Sequence, residues 1–213
     1  MNQTQTRLPT DTWIRATCSE YIQTLEDPSY EKAKVYYHKG RLRIEMSPIG
    51  NDHASDHTVI ITAVAFFAAT KNIELNGKDN CTYRKTGYQA TQPDVSYYIG
   101  ESADVIPWGT SFIDLDIYPP PTLVIEVANT SFADDIGEKR LLYEAVKITE
   151  YWIVDVQNVE IIAFAVADGG SRKINQSQVL PGLDISVLEE ALQRTPQTNE
   201  TQVYTWLLQQ FQS

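Results

Sequence analysis

Three side chains stand out for the chemistry they could do together. Asp94 follows Pro93 and opens the strand-like run Val95-Ser96-Tyr97-Tyr98; Glu126 sits inside the apolar run Leu123-Val124-Ile125-Glu126-Val127; Lys139 lies in the stretch that follows. An ionised carboxylate buried without a partner is costly, so Glu126 must be paired, protonated or bound to a metal. Two carboxylates on neighbouring strands hold a hard divalent cation through oxygen, and an ammonium nearby orients an attacking water or helps deprotonate it. That is the minimum set for metal-assisted phosphodiester hydrolysis. The plain alternative is a buried ion pair between Glu126 and Lys139.

Positioning these groups requires a strand, a helix and a second strand. Residues 123–127 are rich in β-branched side chains and read as a buried strand, and Glu150-Tyr151-Trp152-Ile153-Val154-Asp155 as its partner. Between them, residues 132–146 have helical spacing, with Ile136, Leu142, Tyr143 and Val146 on an inward stripe that also carries Lys139. An inward lysine needs an acid to meet it. Upstream, residues 35–38 and 41–46 read as a hairpin turning at Lys39-Gly40. A period of two puts Arg41, Arg43 and Glu45 opposite Leu42, Ile44 and Met46, so polarity alone predicts an exposed Glu45. Thr10-Asp11 is expected to cap a first helix through Trp13 and Leu25 that ends before Pro28. Asn51-Asp52-His53 begins a central helix reaching Thr70, on which His53 and His57 lie one turn apart and could in principle hold a metal. Short strands are expected over residues 73–75, 81–84 and 87–90. Gln92, just before Pro93, could position the Asp94 strand or a phosphate. The proline-rich stretch 101–121 is expected near a substrate groove or a subunit contact. A last hairpin turns about Asp168-Gly169-Gly170 with its second arm over residues 173–179, followed by a helix capped at Asp184 and a final amphipathic helix over residues 203–211.

In order and type these segments resemble the PD-(D/E)XK nuclease superfamily, most closely its Uma-type group of bacterial restriction endonucleases. The matching residues are Ile44-Glu45-Met46-Ser47-Pro48 followed by His53, Pro93-Asp94-Val95, Val124-Ile125-Glu126-Val127, the helix with Lys139 and Tyr143, and Glu150-Tyr151-Trp152-Ile153-Val154-Asp155. The resemblance implies an α/β, restriction-endonuclease-like mixed central sheet flanked by helices, and Mg²⁺- or Mn²⁺-dependent cleavage of DNA. Asp94, Glu126 and the main-chain carbonyl of Val127 would hold the cation. Glu45 would approach the site from its edge, and His53 would contact substrate or support Glu45. There is one departure: Ala128 stands two positions after Glu126, where the motif has lysine, so the role passes to Lys139 on the helix. Asn129-Thr130-Ser131 likewise replaces the family's usual Ser-Pro after this strand.

At 213 residues and 42% hydrophobic content, the chain is long enough for one sizeable α/β domain. Cys18 and Cys81 have no paired spacing, which argues against a zinc or disulfide framework and fits a reducing cytoplasm. The N-terminus lacks the apolar core of a signal peptide, and the longest apolar stretch, residues 59–69, is too short for a bilayer, so no membrane association is expected. The net charge of −11, from 17 basic and 28 acidic residues, opposes nonspecific binding to DNA. A local basic patch would have to come from Lys32, Lys34, Lys39, Arg41, Arg43, Arg84 and Lys85. The acidic balance keeps two alternatives open: a non-catalytic binding or assembly module, and a phosphodiesterase for a small nucleotide. A homodimer is expected, since cutting both strands of a duplex takes two sites and the apolar Ile161-Ile162-Ala163-Phe164 run and Trp206 offer surface for self-association.

Overall fold

The computed structural model describes residues 8–46, 50–87 and 89–212. In chain order the elements are β1 (Trp13–Arg15), α1 (Cys18–Glu26), β2 (Lys34–His38), β3 (Arg41–Glu45), α2 (Asn51–Lys71), β4 (Leu75–Asp79), β5 (Tyr83–Lys85), β6 (Gln89–Thr91), β7 (Val95–Ile99), β8 (Ile113–Asp114) and β9 (Leu123–Ala128). Then come α3 (Phe132–Asp134), a π-helical turn (Asp135–Lys139), α4 (Arg140–Val146), β10 (Glu150–Asp155), β11 (Glu160–Ala167), β12 (Gly170–Ile174), α5 (Ile185–Arg194) and α6 (Glu200–Gln212). The expected mixed sheet flanked by helices is formed by strands in the order β12-β11-β10-β9-β7-β4, and the hairpin strands build a second six-stranded sheet, β1-β3-β2-β6-β5-β8. β9 and β10 run parallel, with the α3–α4 segment as their crossover.

The uninterrupted apolar run of β9 reflects burial on both faces. Leu123, Ile125 and Val127, with Trp152 and Val154 of β10, lie in a core shared with α2, α5 and α6. Val124 and Ala128, with Tyr151 and Ile153, lie in a second core shared with α4 and with Tyr36 of β2. By the period of two Glu126 belongs to that second face, which aims its carboxylate at α4 and the hairpin sheet. The hairpin itself turns where expected: Lys39 and Gly40 have φ of 47° and 78°, the positive pair a two-residue hairpin loop needs.

Several expectations are corrected. Trp13–Arg15 is a strand paired with Arg41–Arg43, and α1 starts only at Cys18, because Thr17 and Glu20 form a reciprocal cap. The Thr17 hydroxyl accepts from Glu20 N at 3.2 Å and Glu20 accepts from Thr17 N at 2.6 Å. Stretch 101–121 does not border the cleft described below; it contributes β8, which pairs in parallel with β5, and it leaves Trp108 wholly exposed. In the last hairpin the second arm is Gly170–Ile174, set by the tight turn at Asp168 and Gly169, both at positive φ. Of the apolar residues near the C-terminal end, Ile161 and Ala163 join the core beneath α5 and α6, Phe164 is buried in the second core, and the Arg194 guanidinium lies 4.3 Å over the Trp206 ring. Ser47-Pro48 and Tyr88 lie outside the described residues. Among the described residues no helix is long and apolar enough to cross a membrane.

The cap at Thr17 predicts that Thr17→Ala costs about 1 kcal/mol, roughly 2–4 °C in Tm, while Thr17→Ser is nearly silent. Thermal melts of the two variants check this; an unchanged Tm for Thr17→Ala would show that the cap contributes nothing.

Candidate functional site

The antiparallel register of β7 and β9, with Val95 opposite Ile125, sets Asp94 beside Glu126. Val127 N–H donates to Asp94 Oδ2 at 2.7 Å, and Asp94 N–H donates to Glu126 Oε2 at 3.4 Å. Two tyrosines close the other side of Glu126: Tyr143 donates to Oε1 at 2.6 Å and Tyr36 at 3.4 Å. Thr91 in turn donates to the Tyr143 hydroxyl at 2.7 Å. Burial pushes the Glu126 carboxyl up to about 8, despite the pull of Lys139 and with Asp94 and Asp135 adding to the rise. Asp94 goes the other way: burial opposes its charge, but the Lys34 ammonium bonded to Oδ1 holds its carboxyl below the usual range.

Lys139 is 2% exposed. Its Nζ lies 2.8 Å from Asp135, 3.0 Å from Glu45 and 3.9 Å from Glu126, and 4.4 Å over the Tyr36 ring. Burial works against the charge, yet these carboxylates outweigh it and hold the ammonium well above its ordinary range. Lys139 is therefore a fixed cation that can donate but cannot take up a proton. Glu45 does not face solvent, as hairpin polarity predicted. It bridges Lys139 and Arg43, accepting from Arg43 Nε at 2.7 Å, and Arg43 reaches Asp134 at 2.9 Å. The polar face of β3 is covered by the π-helical turn, and the charges on the two surfaces are complementary; a pattern of two along one strand cannot report what covers it.

A cleft of about 500 Å³ opens over the pair, bordered by Lys32, Lys34, Arg43, His53, Asp94 and Lys139. Asp94, Lys139, Glu45 and His53 are thus brought together, with Glu126 buried just behind them. Gln92 is not: its side-chain amide donates to Asn80 O at 3.1 Å, its main-chain carbonyl accepts from the Tyr36 hydroxyl at 2.9 Å, and it borders an adjoining groove. His53 and His57 have ring centroids 6.3 Å apart, and His57 faces Asp79 at 3.5 Å. Among the described residues no three His, Cys, Asp or Glu side chains form a metal-binding group. What remains for a cation is two carboxylates and a main-chain carbonyl at Val127, all hard oxygen donors of the kind that suit Mg²⁺ or Mn²⁺.

A family model described as "Putative restriction endonuclease", Uma2, matches residues 18–199. The chain belongs to the Uma2 family. Among solved structures, "a putative nuclease belonging to DUF820" from Anabaena variabilis ATCC 29413 is similar with a TM-score of 0.58 at 13% identity, covering 88% of this chain and 98% of that one. At that identity the likeness shows the fold alone. No curated protein matches the chain.

In this Uma2 chain the site holds residues that the sequence reading passed over. Asp135, fully buried, pairs with Lys139 and accepts from Ser131 Oγ at 2.6 Å; its position four residues before Lys139 in a helical stretch was the available signal. Tyr36 and Thr91 come from distant segments and left none, and Asp134, next to Asp135, is drawn in through Arg43 of the hairpin. Of seven candidate basic-patch residues, Lys32, Lys34 and Arg43 reach the cleft, whereas Arg41 is paired with Glu138 at 2.6 Å and Arg84 stacks on Phe112 at 4.5 Å.

Lys139→Met would leave Asp135 and Glu45 buried beside an apolar side chain. The expected loss is about 3–5 kcal/mol, on the order of 10 °C in Tm, and adding Asp135→Leu should recover a good part of it. A Lys139→Met protein melting like wild type would show that this lysine carries no structural weight.

Proposed function

We propose that the chain is a Mg²⁺- or Mn²⁺-dependent endonuclease that hydrolyses DNA phosphodiester bonds. The observation that carries this reading is the paired carboxylates of Asp94, at the start of β7, and Glu126, on the adjacent β9, buried at a cleft that Lys32 and Lys34 border. A divalent cation, when bound, would polarise the scissile phosphate and acidify an attacking water. Asp94 and Glu126, with the Val127 carbonyl, would be its ligands, and the high proton affinity of buried Glu126 is what a nearby divalent charge would relieve. Lys139 stands beside Glu126 as a permanent ammonium, so it orients a water or stabilises developing negative charge and leaves deprotonation to other groups. Glu45 holds Lys139 in that place. His53, half-buried on the first turn of α2, borders the cleft together with Gly50 at the α2 N-terminus, the end of a helix whose dipole favours a phosphate. Gln92 holds the Asn80 segment and the Tyr36 hydroxyl, a supporting role for the Asp94 strand. The free Cys18 and Cys81 fit a cytoplasmic setting.

Two measurements test the reading. Plasmid incubated with Mn²⁺ should be nicked or linearised by wild type and left intact by Asp94→Ala, with a loss of at least about a hundredfold; equal cutting by both proteins would trace the activity to a contaminant. Calorimetric titration of Mn²⁺ should show binding to wild type and at least about tenfold weaker binding to Glu126→Ala. Absence of both cleavage and metal binding in wild type would leave a non-catalytic DNA-binding module.

A further inference from the structure

Two lysines reach the carboxylate pair, and they are held in opposite ways. Lys139 is caged: Asp135 and Glu45 take two of its three N–H groups, Glu126 faces the third, and the Tyr36 ring covers it. Withdrawing it would strand buried acids. Lys34, on β2, has a side chain 19% exposed, and Asp94 is the one carboxylate within 4 Å of its Nζ among the described residues. Lys34 borders both the cleft over Asp94 and the adjoining groove past Asn80 and Gln92, so open space flanks its ammonium on either side. A flexible four-carbon stem lets the charge move between them.

The oxygen that Lys34 occupies matters. Val127 N–H already takes one lone pair of Asp94 Oδ2 at 2.7 Å, and the Lys34 ammonium sits on Oδ1, the oxygen that a cation would otherwise meet without competing with the backbone. An ammonium and a divalent ion on that same oxygen would repel each other strongly in a buried setting. We propose that Lys34 is an exchangeable cation that neutralises Asp94 until a divalent ion binds, then leaves Oδ1 and takes a non-bridging oxygen of a DNA phosphate at the cleft. No covalent bond changes in this exchange; one charge-assisted hydrogen bond is traded for another. Metal and DNA binding are thereby coupled, because the metal frees the lysine and the phosphate keeps it off Asp94. This inference rests on the nuclease reading above and assigns Lys34 a substrate contact within it.

The test uses the full chain, Ca²⁺ as an oxygen-seeking probe cation and a fluorescein-labelled duplex followed by anisotropy. Wild type should bind the duplex about tenfold more tightly in saturating Ca²⁺ than in EDTA, the size of one charge-assisted contact. Lys34→Met, and Lys34→Gln with a polar end in case the first folds poorly, should bind Ca²⁺ at least as tightly as wild type by calorimetry yet lose most of that gain. Lys32→Met, which removes an exposed lysine from the cleft rim, should weaken DNA binding by the same factor with and without Ca²⁺. If both Lys34 variants keep the full Ca²⁺-dependent gain, or both bind Ca²⁺ more weakly, Lys34 is a fixed partner of Asp94 and the proposal fails while the nuclease site stands. If wild type binds no divalent cation, the nuclease reading and the exchange fall together.

Discussion

The structure depends on one buried ammonium. Lys139 lies where three chain segments meet: Glu45 comes from the hairpin sheet, Asp135 from the π-helical turn, and Glu126 from the central sheet. Each acid would be expensive to bury alone, and so would the lysine; together they are tolerable because opposite charges and hydrogen bonds replace the lost water. The same network ties the two sheets to each other. Arg43 and Asp134 extend it, and Arg41 with Glu138 adds to it, so that β3 is linked to the α3–α4 segment through three separate ion pairs. A π-helical turn is a local widening that recurs at functional sites, and here it carries both Asp135 and Lys139 at its ends.

Neutral donors complete what the charges begin. Tyr36, Tyr143 and Tyr151 are fully buried, and burial above all, with the nearby acids adding, pushes their hydroxyls well above the usual range. They stay protonated and therefore act as donors: Tyr143 and Tyr36 to Glu126, Tyr151 to the Asp135 carbonyl at 3.1 Å. The result is a Glu126 carboxyl with a defined orientation and a proton affinity raised by burial. The Uma2 site thus differs from a motif in which lysine follows the acid on the same strand. Ala128 faces the second core, and the cation reaches Glu126 from the crossover helix instead.

A chain of net charge −11 still carries cations at its cleft, where they alternate with acids. Lys32 and Lys34 border the cleft together with Asp11, Glu45 and Asp94, Arg43 is buried between Glu45 and Asp134, and other acids are tied up elsewhere. Glu150, wholly buried, accepts from Trp152, Ser177 and Val179 and anchors the segment leading to α5. The overall charge thus describes the far field of the molecule more than it describes the site.

The sequence by itself determined the central strand-helix-strand unit. Local signals coincide there: a doubly buried strand with one acid, an inward helical stripe and a second apolar strand, all within about thirty residues. It also marked Glu126, since a charged residue inside an apolar pattern is conspicuous without any knowledge of its neighbours, and Asp94 as an acid opening a strand, while Lys139 took its role from the family resemblance. The family resemblance rested on the same strings. Other features were decided by tertiary contact. Polarity placed Glu45 in solvent because alternation along one strand says which residues share a face, and only the arrival of the π-helical turn made that face an interior one. The start of α1 moved from Asp11 to Cys18 because β1 found a partner in β3, a pairing between segments some thirty residues apart. Lys34 looked like one solvated charge among several on the hairpin, and its bond to Asp94 joins residues sixty positions apart. Periodicity and propensity act over a few residues, whereas the charges that complete this site approach from remote parts of the chain, so only the folded structure could bring them into contact.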